Sequence, residues 1–252
     1  MANRSTFSRY RSYTTQKRNR KRILHIILTI FLVYYGYLLV NAEFLRTVLW
    51  QSTTMEPTLK SGDAVLVTPL PLGTNNLPFL PFGLPGWRGP ERGELVLVVP
   101  AYHTPASPWL SAADELIRFV TFNQVSLEKN LSKPWDQAYT LRRVIALPGD
   151  TVRLDNFTAS VKPAGKPYFL SEYELSKKIY SLKDSSLPDS WRPSFPLSGT
   201  QTEITLGRDE YFVLADNRSQ ASDSRTWGVV KRDAIKGIAL LKYWPLSDFG
   251  GL

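Results

Sequence analysis

Three hydroxyls stand in a row at Ser52, Thr53 and Thr54, opening the segment Ser52-Thr53-Thr54-Met55-Glu56-Pro57-Thr58-Leu59. A hydroxyl attacks a carbonyl only when a neighbouring group takes its proton. The commonest partners are scarce: the chain has no Cys and only two isolated His, His25 and His103. That removes thiol nucleophiles and Cys-ligated zinc, and argues against a His cluster or a His-based triad. No metal or cofactor is implied. Basic residues gather instead in Arg142-Arg143-Val144-Ile145-Ala146-Leu147-Pro148-Gly149-Asp150-Thr151-Val152. A third cluster runs Ala215-Asp216-Asn217-Arg218, then Ser222-Asp223-Ser224-Arg225 and Trp227-Gly228. Where Asp216, Asp223, Arg143, Arg218 and Arg225 are buried, they must pair.

Short β-type runs hold these clusters. Val/Ile/Leu/Tyr stretches at 64–68, 94–99, 141–146, 151–154, 168–170, 203–206, 211–215 and 238–243 alternate with Pro and Gly, which predicts an antiparallel β body. In Leu147-Pro148-Gly149-Asp150 the Pro fixes φ, the Gly permits the turn, and Asp150 can accept from the neighbouring backbone. One helix is expected at 111–120, capped by Ser111. Residues 69–90, with six Pro and four Gly, form an extended loop that either packs on the protein or rests on lipid through Leu77, Phe79, Leu80, Phe82 and Trp87. Residues 185–200 form a second loop.

The charge of +9 is misleading until it is divided along the chain. Residues 1–22 hold eight of the 31 Lys/Arg and no Asp/Glu, so the other 23 basic side chains face 22 acidic ones. A nucleic-acid-binding domain is therefore disfavoured, because its positive charge should sit on the folded part. The run ILHIILTIFLVYYGYLLVNA at 23–42 carries no charge. At about 1.5 Å per residue it spans roughly 30 Å, a hydrocarbon core. Lys17, Arg18, Arg20, Lys21 and Arg22 flank its start, so the tail is expected in the cytoplasm and everything after Ala42 across the membrane. Two other readings compete. Val40-Asn41-Ala42 has the small-residue look of a signal-peptide cleavage site, and the acid-free N-terminus suits a transit peptide.

In this order behind such an anchor, the three clusters resemble the boxes of type I signal peptidases, membrane-anchored Ser/Lys proteases that remove signal peptides. The resemblance covers roughly residues 23–245, including Tyr243-Trp244-Pro245. It implies a mostly β fold: a single N-terminal transmembrane helix followed by an antiparallel β-sheet, barrel-like domain over 43–252, with an insertion near 101–139. It also implies a place in the cytoplasmic membrane, and as partners the lipid bilayer and the signal peptides of exported preproteins. An active paralogue or the secretion machinery would be further partners.

The family's nucleophilic Ser position holds Thr54, and its Lys base position holds Arg142. Ser52 matches the residue whose hydroxyl assists the oxyanion hole, with the Thr54 N–H as second donor. The Ser that positions the lysine amine is replaced by Ala221, and Ser222, one residue on, should face the other way. A guanidinium, with a pKa above about 12, is neutral in fewer than about one molecule in 10⁵ near pH 7. Arg142 therefore cannot act as the base, whereas threonine alone would still be a usable nucleophile. Of the other lysines, Lys60 is expected in solvent, and nothing brings Lys242 to Thr54. Three functions fit: a catalytically impaired homologue that keeps the peptide-binding scaffold, an active peptidase using Thr54 with another base, and a non-catalytic membrane-anchored adaptor.

Overall fold

The computed structural model of the chain describes residues 4–40, 44–73, 83–103, 107–121, 127, 139–183, 199–219 and 222–252. Helix α1, Arg4–Leu39, runs unbroken from the basic segment into the apolar one. Between Ile23 and Val33 nine large apolar side chains are each 51–65% exposed. Of the expected span over 23–42, residues 23–39 are helical in α1. Residues 41–43 lie outside the described residues, and among those described no helix is long and apolar enough to cross a membrane.

The body is mostly β. Strands β1 (Arg46–Leu49), β2 (Ala64–Thr68), β3 (Leu95–Val98) and β4 (Thr140–Ala146) belong to an eight-stranded sheet. So do β9 (Glu210–Leu214), β10 (Val230–Lys231), β11 (Ile235–Trp244) and β12 (Gly250–Gly251). Its order is β1-β2-β11-β3-β4-β9-β10, with β12 on β11. Strands β5 (Thr151–Asp155), β6 (Thr158–Lys162), β7 (Leu170–Ser171) and β8 (Gln201–Thr205) form a second sheet in the order β7-β6-β5-β8. Every strand pair in both is antiparallel. The barrel-like expectation holds as an open, mostly β antiparallel arrangement, and one core, with Ile145 and Phe212 from the larger sheet and Val152 and Val161 from the smaller, joins the two sheets.

All seven residues of β4 are buried, and its register fixes what each arginine can reach. Leu95 lies opposite Arg143 and Val96 opposite Arg142. Leu141 packs with Trp50, Met55 and Leu59, whereas Val144 packs with Leu72, Tyr211 and Val213. Alternation along a strand thus sends Arg142 and Arg143 to opposite faces.

The turn after β4 forms as its residues predict. Gly149 has φ +83°, a region that favours glycine, and Leu147 N–H donates to Asp150 Oδ2 at 2.8 Å. Asp150 also takes Ala164 N–H and the Arg92 guanidinium.

Helix α2, Pro108–Val120, starts earlier than expected. Leu110 N–H donates to Ser107 Oγ at 3.4 Å and proline occupies the first helical position, so Ser107 rather than Ser111 precedes the helix. Of the Pro-rich loop, residues 74–82 lie outside the described residues, as do 185–198 of the second loop. Trp87 is 67% exposed.

Candidate active site

Thr54 sits in a turn that crosses the end of β9, held there by backbone bonds. Asn217 N–H donates to Thr54 O at 3.0 Å, and Asn217 Nδ2 donates to Thr53 O at 3.1 Å. The neighbouring Met55 and Leu59 are fully buried in the core, which pins the turn from below. Ser52 and Thr54 are half-buried. The Ser52 hydroxyl donates to Thr54 Oγ1 at 3.1 Å and accepts from Thr54 N–H at 3.2 Å. The two donors expected of an oxyanion hole thus bond to the Ser52–Thr54 pair itself.

Arg142 comes from β4, 88 residues away in sequence, and its Nη1 donates to Thr54 Oγ1 at 3.3 Å. The substituted pair is in contact. The rest of the guanidinium is tied down by Nη1 to Thr140 Oγ1 at 2.7 Å and to Leu141 O at 2.6 Å. Nε and Nη2 both reach Ser222 O, at 3.0 and 2.6 Å. Arg142 is 4% exposed. Burial pushes its pKa down, opposed mainly by the charge of Asp223. Lowering a guanidinium from so high a starting value still leaves it cationic near neutral pH, so Thr54 faces a hydrogen-bond donor and not a proton acceptor.

The opposite face of β4 carries the charge network. Arg143 Nε donates to Asp216 Oδ1 at 2.7 Å and Nη2 to Oδ2 at 2.5 Å, with Thr58 Oγ1 also donating to Oδ2 at 2.5 Å. The Tyr180 ring covers the Arg143 guanidinium at 4.0 Å. Tyr180 donates to Glu172 Oε2 at 2.7 Å, and Glu172 in turn holds Arg218 at 2.6 Å. Burial, reinforced by the Glu172 charge, pushes the Tyr180 phenol above the ordinary tyrosine range. Asp223 caps the short helix α4, Ser224–Trp227 (α3 is Glu172–Leu175), and pairs with Arg225 at 2.8 Å. Arg143, Arg218 and Arg225 are therefore each paired, as burial requires.

No lysine amine bonds Thr54 among the described residues. Lys60 is exposed, as expected. Lys242 is buried, but its amine is taken by Asp63 at 3.4 Å and by Asp248. Lys183 had drawn no attention in the sequence. Its backbone bridges Asp216 and Arg218, while its half-exposed amine pairs with Glu56 at 2.6 Å. Ala221 lies outside the described residues. Ser222 contributes its carbonyl to Arg142, while its hydroxyl pairs with Thr226 Oγ1 at 2.9 Å. Thr58, Thr140, Glu172 and Tyr180 also escaped sequence reasoning. Only Thr58 carried a signal, as part of the first hydroxyl-rich segment.

The family model described as signal peptidase, peptidase S26, matches residues 20–244. A probable signal peptidase I-2 of Synechocystis sp. is 27% identical over 200 residues, 79% of this chain. The match spans 63% of that relative, a little under two thirds. Signal peptidase IB of Staphylococcus aureus is 23% identical over 232 residues, covering 91% of this chain and 94% of the relative. A crystal structure of a signal peptidase I from Enterococcus faecalis V583 is 22% identical, covers 60% of this chain and 97% of that one, and superposes with a TM-score of 0.30. Because the family match takes in most of the sequence, from the end of the basic segment through β11, the chain belongs to the peptidase S26 signal peptidase family.

Proposed function

We propose that this protein is a membrane-anchored, non-cleaving signal peptidase homologue. It binds the signal peptides of exported preproteins and assists an active paralogue or the secretion machinery. Arg142 carries this reading. A group whose five N–H donors cannot be given up near neutral pH occupies the place from which Thr54 would have to be deprotonated. Around it the Ser52–Thr54 turn is held by Asn217 and the Arg143–Asp216 pair is formed.

Membrane anchoring draws support from α1. A helix whose apolar side chains are exposed all around between Ile23 and Val33 is unstable in water and suited to lipid. The basic residues before Ile23 favour an N-terminus in the cytoplasm and a β domain outside.

Purified protein in detergent is expected to leave a preprotein with an Ala-X-Ala site uncut, and T54V is expected to change nothing. A photo-crosslinker at exposed position 53 should still capture the signal peptide. Turnover that T54V abolishes would restore the reading of an active peptidase with another base. Failure to capture any signal peptide would leave only an adaptor.

A further inference from the structure

We infer that the Thr54 site is a receptor for a peptide C-terminal carboxylate, the group a signal peptide exposes once it has been cut. The inference rests on the non-cleaving reading and names its ligand.

Arg142 differs from its neighbours in what it touches. Arg143, Arg218 and Arg225 are buried cations, and each meets a carboxylate, on Asp216, Glu172 and Asp223. Arg142 is equally buried, yet all its acceptors are neutral: Thr54 Oγ1, Thr140 Oγ1, Leu141 O and Ser222 O. The acids closest in influence, Asp223 and Asp216, are committed to Arg225 and Arg143. A buried cation without its own counter-ion is costly, and an anion approaching past the partly exposed Ser52 and Thr54 relieves that cost.

The donors for such an anion are already arranged. Arg142 has five N–H groups. Nε spends one on Ser222 O, Nη2 spends one on the same oxygen, and the two on Nη1 are shared among three acceptors. The second Nη2 N–H is therefore left without an acceptor among the described residues. The contact with Thr54 Oγ1, at 3.3 Å, is the longest of the set and the readiest to yield. The half-buried Ser52 and Thr54 hydroxyls rotate to donate outward once a stronger acceptor arrives.

This arrangement separates product from precursor by charge. An intact chain crossing Thr54 presents a neutral amide carbonyl, whereas a cut one presents a carboxylate that takes charge-assisted bonds from guanidinium. Lysine at 142, working as a neutral base, would supply no such attraction. Arginine supplies a permanent charge in a planar fork.

The test compares two synthetic peptides that end in Ala-X-Ala, one as free acid and one as C-terminal carboxamide, by fluorescence anisotropy against the full-length protein in detergent. The acid is expected to bind roughly 10- to 100-fold tighter, as charged hydrogen bonds allow. That advantage should vanish as pH falls through the C-terminal carboxyl range near 3.5. In R142Q the acid-to-carboxamide affinity ratio should fall to about one, whatever the absolute affinity of either peptide for that variant. Equal binding of the two peptides by the wild-type protein overturns the carboxylate inference and leaves the non-cleaving reading standing. An acid preference that persists in R142Q overturns the assignment to this site. Cleavage of an intact preprotein overturns the underlying reading, and binding of neither peptide overturns both.

Discussion

The triple variant T54S/R142K/A221S is expected to release the signal peptide from an Ala-X-Ala preprotein at least about 10²-fold faster than the wild-type protein, the lower end of what a positioned base contributes. The structure supplies the reason. Position 142 lies on a fully buried strand within bonding reach of Thr54 Oγ1. The burial that pushes the arginine pKa down would act in the same direction on a lysine amine. For lysine that shift matters, because its starting value near 10.4 is close enough to neutrality for a useful neutral fraction to form. Thr140 Oγ1 and Ser222 O, which now hold the guanidinium, can orient an amine in its place.

The single variant T54S is expected to remain at background, since it still lacks a base, whereas R142K, which keeps the usable Thr54 hydroxyl, should cleave more slowly than the triple variant. Activity of the triple variant should fall as pH drops through the lysine's depressed pKa, because only the neutral amine accepts a proton. A folded triple variant that cleaves nothing, or whose rate ignores pH, sinks this account.

D216A is expected to lower the unfolding free energy by about 3–5 kcal/mol, read from urea titration of tryptophan fluorescence. The magnitude follows from what is left behind. Arg143 is 2% exposed and Asp216 fully buried, with two guanidinium–carboxylate contacts between them. Removing the carboxylate strands the cation with Gly93 O, Thr58 Oγ1 and the Tyr180 ring. None of these carries a full negative charge. Replacing both partners in R143M/D216L removes the stranded charge, so the double variant should lie closer to wild type than D216A does. A loss below about 1 kcal/mol in D216A would show that the pair contributes little to stability.

Much of the β body was legible because apolar runs between turn residues are a local property. The run at 64–68 became β2 with the same ends, and those at 141–146 and 211–215 became β4 and β9 within a residue or so. Strand β6 was missed. Its hairpin with β5 turns through Asn156 and Phe157, both with positive φ, and phenylalanine at the second turn position hid the signal that glycine would have given. Strand β1 was missed because four residues beside an apolar stretch carry no period of their own. At the site, Ser222 acts on Arg142 through its backbone carbonyl, and a carbonyl is the same in every residue type. Glu172, Tyr180 and Lys183 join the network from segments without any motif.

The sequence by itself determined that position 142 cannot take a proton from Thr54. The ionisation of guanidinium is set by covalent structure, and no burial in a protein brings it to neutrality at physiological pH. It also determined that the positive charge belongs to the N-terminal segment. Only the tertiary structure decided that Arg142 touches Thr54, and that this arginine, unlike the three beside it, meets no carboxylate. Those facts depend on the register of β4 against β3 and on how the Thr54 turn lies across the end of β9. They are pairings between distant segments, fixed when the sheet assembles.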